Sequence, residues 1–225
     1  MKKILVVETN KTQYGYYPEA TGLWLGETTE FVEIVQNAGF SVDYVSPKGG
    51  FVPIDPRSFK YATPDDLKMY REQSFQDRAL ANTISPNEID PRDYQAIYYT
   101  GGHGVMWDFP YNEKLHQISL QIYQNDGFLT SVCHGISGLL YIKDEQGQYL
   151  IRHKHITGFT NAEEQLSGKK KYVPFLNEEV AKLHGAIFSK QRAYSEYALV
   201  DGQFITGQNP FSAAAVGKLL VKKLQ

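Results

Sequence analysis

The sequence predicts an α/β fold in which helices cover both faces of a doubly wound, mainly parallel sheet. Short apolar runs rich in β-branched residues alternate with amphipathic helical stretches through most of the 225-residue chain. Strands that alternate with helices favour parallel pairing, because each helix returns the chain to the same edge of the sheet. With 42% hydrophobic residues, the chain can also bury the core of one such domain.

The individual elements follow from apolar spacing and from glycine and proline signals. The predicted strands, each a short apolar run, are 4–7, 41–45, 96–99 and 128–132, with a hairpin of 197–200 and 203–206. The predicted helices, each with apolar residues on one face or a proline start, are 27–38, 113–124, 136–141 and 210–224. In such sheets, ligands bind at the carboxyl ends of the strands.

Residues 50–92 interrupt the alternation of strands and helices. The segment holds five of the ten prolines, carries a polar helical piece at 65–81, and is too long for an ordinary connection. We interpret it as an insertion within a single domain that spans residues 1–225. It either caps the ligand-binding edge of the sheet or builds an oligomer surface; a solvated decoration is the remaining interpretation.

Charge and composition exclude several classes of protein. The 23 basic and 25 acidic side chains give a net charge of -2, so no nucleic acid partner is expected. Met1-Lys2-Lys3 leads into only four apolar residues before Glu8, which predicts neither a signal peptide nor a membrane span. A single cysteine cannot form an internal disulfide, and this fits a reducing, cytoplasmic compartment.

That cysteine, Cys133, follows the predicted strand 128–132 and precedes His134-Gly135. A nucleophile on a strand-to-helix turn is held clear of its neighbours, near the positive end of the helix dipole. The pattern therefore predicts a reactive cysteine with a lowered thiol pKa. The alternative is that Cys133 is only a small buried hydrophobic residue.

Gly101-Gly102 follows the strand 96–99 without the Gly-Lys-Ser/Thr of a phosphate loop or a complete dinucleotide-binding pattern. We interpret it as part of an oxyanion site, in which the N-H groups of Gly102 and His134 hold a developing negative oxygen. His103 is expected to line the same pocket. His153 and His155 have no third ligand at a recognisable spacing, so neither a metal nor another cofactor is predicted.

Five motifs occur in order along the chain: 100–104 (Thr-Gly-Gly-His-Gly), 107–110 (Trp-Asp-Phe-Pro), 132–135 (Val-Cys-His-Gly), 157–161 (Thr-Gly-Phe-Thr-Asn) and 206–210 (Thr-Gly-Gln-Asn-Pro). Together they resemble the ThiJ/PfpI superfamily of class I glutamine amidotransferase-like proteins, which have a flavodoxin-like fold and a nucleophile elbow. Within it, the chain is most similar to the glutathione-independent glyoxalase III, heat-shock chaperone and deglycase branch. The resemblance runs from residue 4 to the carboxyl end and includes the insertion.

This resemblance implies a role for four residues and a homodimer. Cys133 corresponds to the nucleophile, His134 to the base or proton shuttle, and Glu27 to an acid that hydrogen-bonds the sulfur. Glu164, in preference to Glu163, corresponds to the acid that orients the histidine. In the alternative interpretation these residues have no catalytic role. Glu27 then only stabilises the helix dipole in the first turn of its helix, and Glu163 and Glu164 lie at a solvated helix start.

Three function classes remain open at this stage. The resemblance favours a cofactor-free glyoxalase III that converts methylglyoxal, a small aldehyde, into lactate through a Cys133 hemithioacetal, with a related deglycase activity. A cysteine amidase or peptidase would use the same residues, and an open groove in place of a capped pocket would favour it. A stress-responsive chaperone with an oxidisable Cys133 is the third class.

Overall fold

The computed structural model describes residues 3–225, and a sheet forms its central layer. The strands are β1 Lys3–Val7, β2 Ser41–Val45, β3 Tyr94–Tyr99, β4 Phe128–Val132, β5 His155–Ile156, β6 Ile187–Phe188, β7 Ala198–Asp201 and β8 Phe204–Gly207. Six of them pair in the order β2-β1-β3-β4-β8-β7, and only β7 runs antiparallel to its neighbour. β5 and β6 form a separate parallel pair.

Helices cover the sheet and connect its strands. The α-helices are α1 Leu25–Asn37, α2 Pro64–Arg71, α3 Gln73–Phe75, α4 Glu113–Gln124, α5 Asn161–Leu166, α6 Asn177–Leu183 and α7 Ala213–Leu224. Single 3-10 turns occupy Ser58–Lys60, Pro86–Glu88, Pro91–Asp93, His103–Trp107, Phe109–Tyr111, Cys133–Gly138 and Pro210–Ser212, and a π-helical stretch covers Gln76–Ala81.

Both faces of the sheet are buried, as the doubly wound prediction requires. In β1, Ile4 and Val6 belong to the core formed with α1 and α7, whereas Leu5 and Val7 belong to the core formed with α4. All four side chains have no exposed surface. Alternate residues of a strand face opposite sides, so an unbroken apolar run is what a sheet covered on both faces needs. The α/β prediction is confirmed.

Most predicted elements lie where expected. The strands at 41–45 and 128–132 and the helix at 113–124 have the predicted bounds. The hairpin forms with each strand moved by one residue, and the last predicted helix divides into the turn Pro210–Ser212 and α7. Periodicity located these elements because each is amphipathic or continuously apolar.

The prediction of a helix at 136–141 is wrong. The chain instead forms the 3-10 turn Cys133–Gly138. A Cβ atom added at Gly135 would lie 2.2 Å from the Tyr99 carbonyl oxygen, and one at Gly138 would lie 2.3 Å from the Tyr99 ring. The segment therefore packs directly on the end of β3, and glycines are needed at both of these positions.

The insertion also differs from its prediction. The expected helix at 65–81 is divided into α2, α3 and the π-helical stretch, with the extended residue Glu72 between α2 and α3. Val52, Phe75 and Leu80 of the segment are buried and join the core on the α1 side of the sheet. The insertion is thus not a solvated decoration.

Candidate active site

Cys133 lies at the carboxyl end of β4 with a φ of +56°. A non-glycine residue in this left-handed region costs about 1–2 kcal/mol. The neighbouring structure fixes it, because the next residues pack against the end of β3 without room for larger side chains. The cysteine is only 2% exposed and lines a pocket at the carboxyl edge of the sheet. This is the geometry of a nucleophile elbow.

The side chains of His134 and Glu164 form a series of contacts that begins at Cys133. Its Sγ atom lies 3.3 Å from Nδ1 of His134, and Nε2 of His134 lies 2.8 Å from Oε2 of Glu164. An ionised carboxylate only accepts hydrogen bonds, so in the neutral ring Nε2 carries the proton and Nδ1 is left to accept one. The arrangement can therefore take the proton of the thiol and hold the resulting imidazolium against a carboxylate.

A second histidine bonds the same carboxylate. Nε2 of His103 lies 2.9 Å from Oε1 of Glu164. Burial by itself would raise the pKa of Glu164, but His134 and His103 together hold it below its ordinary value. Burial, with His134 nearby, lowers the pKa of His103 to about 4. Near neutral pH, Glu164 is thus ionised and His103 is neutral.

The adjacent glutamate has a different environment. Glu163 accepts hydrogen bonds at 2.9 Å from both the backbone N-H and the hydroxyl of Thr160, and so caps α5. Its other oxygen accepts from the Tyr194 N-H and from the side-chain amides of Gln208 and Asn209. Glu163 holds together α5 and the loops around it, whereas Glu164 faces the histidines. The contact predicted for Glu164 is present.

Glu27 lies in the first turn of α1 and is fully buried. A Cβ atom added at Gly101 would lie 2.1 Å from Oε2 of Glu27 and 3.0 Å from Cβ of Cys133, so this glycine leaves the space in which the carboxyl and the cysteine meet. The carboxyl of Glu27 faces the Cys133 thiol and the Gly101 N-H, and within residues 3–225 neither contact reaches normal hydrogen-bond geometry. Burial raises the pKa of Glu27 well above its ordinary value. The carboxyl is therefore neutral and can donate a proton.

The expected lowering of the thiol pKa by a helix dipole is wrong. Burial raises the pKa of Cys133, and a negative charge on Glu27 would raise it further. The following 3-10 turn has six residues and does not supply the long aligned dipole that the prediction assumed. The thiol can ionise only with help from its neighbours, by giving its proton to His134 or by accepting a hydrogen bond from neutral Glu27.

The two residues predicted for the oxyanion site, Gly102 and His134, line the same pocket as Cys133. Gly102 has a φ of +97°, and a Cβ atom there would lie 2.3 Å from the carbonyl oxygen of Gly22. Only glycine fits such a position. The N-H of His134 is directed at the Cys133 sulfur, and Gly102 lines the pocket. Their use as an oxyanion site stays a prediction.

The pocket has a volume of about 550 Å³, and Cys133 forms part of its wall. Its lining residues are Trp24, Gly26, Glu27, Glu30, Arg57, Ser58, Lys60, Tyr61, Gly102, His103, Cys133, His134, Phe159, Ser167, Tyr194, Pro210 and Phe211. Four of them belong to the insertion, which therefore borders the site. The sequence analysis did not predict that the aromatic residues Phe159 and Tyr194 line the pocket. Phe159 belongs to one of the five motifs and could have been noticed, whereas Tyr194 belongs to no motif.

Whether the protein has residues that could bind a metal ion depends on where its histidines lie. His153 lies in a turn and His155 begins β5, so the two histidines do not belong to one strand. Among residues 3–225, one group could bring three ligand atoms within 4.8 Å, namely His103, His134 and Glu164. Their hydrogen bonds to one another already account for this approach.

No helix in residues 3–225 is long and apolar enough to cross a membrane.

Together, the fold and the site define a flavodoxin-like α/β protein with a cysteine on a strained elbow, next to a histidine and carboxylate pair. The sequence model of the DJ-1/PfpI family matches residues 20–223. The chain belongs to the DJ-1/PfpI family, and the ThiJ/PfpI resemblance is confirmed.

Individual relatives agree over nearly the whole chain. The chain is 32% identical to the glutathione-independent glyoxalase HSP31 of Saccharomyces cerevisiae, over 94% of its own length and 93% of that protein. Among solved structures, it is similar to Rapid Encystment Protein 24 KDa of Francisella tularensis, with 36% identity, full coverage of both chains and a TM-score of 0.96. Glyoxalase III of Candida albicans matches with 26% identity, 98% and 96% coverage, and a TM-score of 0.89.

Proposed function

We propose that this chain is a glutathione-independent glyoxalase of the glyoxalase III type, which converts methylglyoxal and water into lactate without a cofactor. The observation that carries the proposal is the line from Cys133 through His134 to Glu164 on a pocket wall, with the buried carboxyl of Glu27 beside the sulfur. The names of the Saccharomyces and Candida relatives support the same activity.

The reaction begins with ionisation of the thiol. Nδ1 of His134 takes the proton of Cys133, and the thiolate attacks the aldehyde carbon, C1, of methylglyoxal. A C-S bond forms, and the electron pair of the carbonyl moves to its oxygen. The N-H groups of Gly102 and His134 stabilise this oxyanion. The imidazolium, held against Glu164, then protonates the oxygen and completes a hemithioacetal.

Two proton carriers then isomerise the hemithioacetal. His134 removes the C1 proton while the neutral carboxyl of Glu27 protonates the C2 oxygen, which gives an enediol. His134 returns its proton to C2, and the Glu27 carboxylate takes the proton of the C1 hydroxyl. C1 is thereby oxidised to a thioester and C2 is reduced to an alcohol, with no external electron donor or acceptor. Positioned acids and bases of this kind each contribute about 10²–10⁴-fold.

Water completes the cycle. His134 takes a proton from a water molecule, whose oxygen attacks the C1 thioester. The C-S bond breaks, the sulfur recovers its proton from His134, and the product leaves as lactate after its carboxylic acid releases one proton to solvent. One water molecule is consumed for each lactate, and Cys133, His134 and Glu27 return to their starting protonation states.

The proposal also covers the context in which the site works. The chain acts as a single domain whose insertion, residues 50–92, caps the pocket, and this is supported by the position of Arg57, Ser58, Lys60 and Tyr61 in its lining. We propose a homodimer in the cytoplasm, where a lone cysteine stays reduced. Sedimentation at micromolar concentration should give twice the 25.5 kDa mass of one chain.

The test is to mix the purified, reduced and metal-free protein with methylglyoxal alone and to follow lactate, with Cys133→Ser as the matched control. Lactate that forms without glutathione and only with Cys133 supports the proposal. If no lactate forms above the control, the glyoxalase assignment is wrong. The protein would then be tested for cleavage of amide substrates and for oxidation of the Cys133 thiol.

A further inference from the structure

The candidate pocket is much larger than a three-carbon substrate needs. Its volume of about 550 Å³ lies within the range of roughly 300–1,000 Å³ in which proteins bind drug-sized ligands. Cys133 and His134 occupy only one part of the wall, and they are deeply buried. Most of the space therefore lies beyond the atoms that react with a dicarbonyl.

Aromatic rings line the way from the reacting atoms to solvent. The ring of Phe159 lies 4.2 Å from that of His134, and the ring of Tyr194 lies 6.0 Å from Phe159. Phe211 follows at 6.4 Å from Tyr194. All of them line the pocket. A substrate whose reacting end meets Cys133 can thus lay an apolar group along a continuous row of rings.

The pocket mouth leaves large apolar surfaces exposed to water. Tyr61 is 56% exposed, Phe211 is 48% exposed and Tyr194 is 37% exposed. Tyr61 lies 5.7 Å from Trp24, between ring centroids, and these two rings form another aromatic part of the lining. When a flat apolar group covers aromatic rings at the mouth of a pocket, apolar surface is removed from water and binding is favoured.

The charged groups of the lining do not favour an ionic substituent. Arg57 is already bonded to Asp55 through two guanidinium nitrogens. Lys60 is exposed, with its ammonium group 5.8 Å over the ring of Tyr61. Burial raises the pKa of Glu30 to about 7, so this carboxyl is largely protonated at slightly acid pH. The aromatic surfaces are left as the main means of recognising a substituent.

We propose that the site prefers α-oxoaldehydes that carry an aryl or similarly flat apolar substituent, with the dicarbonyl at Cys133 and the substituent against the exposed rings of Tyr61, Tyr194 and Phe211. This inference rests on the proposed glyoxalase function and names its substrate class. The chemistry is unchanged and balanced: an aryl glyoxal and one water give the aryl 2-hydroxy acid, because C1 is oxidised as C2 is reduced.

The experiment compares kcat/KM for phenylglyoxal, which yields mandelate, with kcat/KM for methylglyoxal. Initial rates are used, because phenylglyoxal also modifies arginine over longer incubation. Phe211→Ala and Tyr61→Ala shorten the aromatic walls, and Tyr16→Ala removes a fully exposed ring outside the lining. We expect the wild type to use phenylglyoxal at least about tenfold more efficiently, which corresponds to one or two aromatic contacts.

In each wall variant, the preference for phenylglyoxal should fall about three- to tenfold, mainly through a higher KM. Tyr16→Ala should keep the wild-type preference. If methylglyoxal is converted but phenylglyoxal has no advantage, or if the wall variants keep the full preference, the inference is wrong while the proposed function stands. If neither dicarbonyl is converted, the proposed function itself fails.

Discussion

Two buried glutamates serve the same thiol from different environments. Glu27 faces the Cys133 thiol and the Gly101 N-H, and burial raises its pKa well above the ordinary value. Glu164 accepts hydrogen bonds from His134 and His103, which hold its pKa below the ordinary value in spite of its burial. Burial would raise the pKa of both carboxyls, and the two histidines beside Glu164 reverse the direction there.

In the proposed mechanism, this difference gives the two carboxyls complementary tasks. A neutral Glu27 can give a proton to the substrate and take one back. An ionised Glu164 cannot give a proton, but it fixes the His134 ring with Nδ1 toward the sulfur and stabilises the imidazolium. A site built from two ionised or two neutral carboxyls would lack one of these functions.

The largest expected effect is that of Glu27→Gln. The amide keeps the shape and a hydrogen-bond donor but cannot transfer a proton, so kcat/KM for methylglyoxal should fall about 10³-fold. Circular dichroism should report an unchanged fold. Activity within a factor of three of the wild type would show that Glu27 does not carry a proton in the reaction.

Glu164→Gln should reduce kcat/KM by about 10²-fold. The two histidines bond different oxygens of Glu164, and in glutamine one of these oxygens is replaced by an NH2 group. His134 or His103 therefore loses the bond that fixes its tautomer. The pH at which Cys133 is alkylated by iodoacetamide should also move upward, because the imidazolium formed on ionisation loses its carboxylate. An unchanged alkylation profile would contradict the orienting role.

Glu163→Gln is the matched control on the neighbouring residue. Glu163 caps α5 and accepts from Tyr194, Gln208 and Asn209, so the change should lower the free energy of unfolding in urea by about 1–3 kcal/mol. Turnover should fall less than in Glu164→Gln. The reverse order of the two activities would exchange the roles of the adjacent glutamates.

The last expected effect concerns how stability depends on pH and leaves turnover aside. A carboxyl whose folded pKa is raised favours the folded state less as pH rises above its unfolded value of 4.5, because unfolding then releases a proton. Between that pH and the folded pKa, the wild type should lose about 1.4 kcal/mol per pH unit relative to Glu27→Gln. Urea unfolding of both proteins from pH 5 to pH 8 measures this. Parallel curves would mean that Glu27 is ionised in the folded protein.

The fold could be predicted from sequence because its signals are local. β4 and α4 are an unbroken apolar run and an amphipathic repeat, and both have the predicted bounds. The 3-10 turn after Cys133 could not be predicted, because its shape depends on Gly135 and Gly138 packing on Tyr99, which is distant in sequence.

The site was predictable where a motif carried it and not elsewhere. Cys133 and His134 are adjacent in sequence, so finding one located the other. The pKa of the thiol could not be predicted, since it depends on burial and on Glu27, which α1 brings to β4 from over a hundred residues away. The pocket residues Tyr194 and Phe211 come from loops whose placement depends on Glu163 and Asn209.

The most direct test of the contrast between Glu27 and Glu164 is infrared difference spectroscopy at neutral pH. The wild-type spectrum minus that of Glu27→Gln should contain the carbonyl stretch of a protonated carboxyl, and other buried acids cancel in the difference. The wild-type spectrum minus that of Glu164→Gln should contain positive carboxylate bands, a negative band of the glutamine amide, and no carbonyl stretch of a protonated carboxyl. A carboxylate band for Glu27, or a protonated carboxyl for Glu164, would contradict the account.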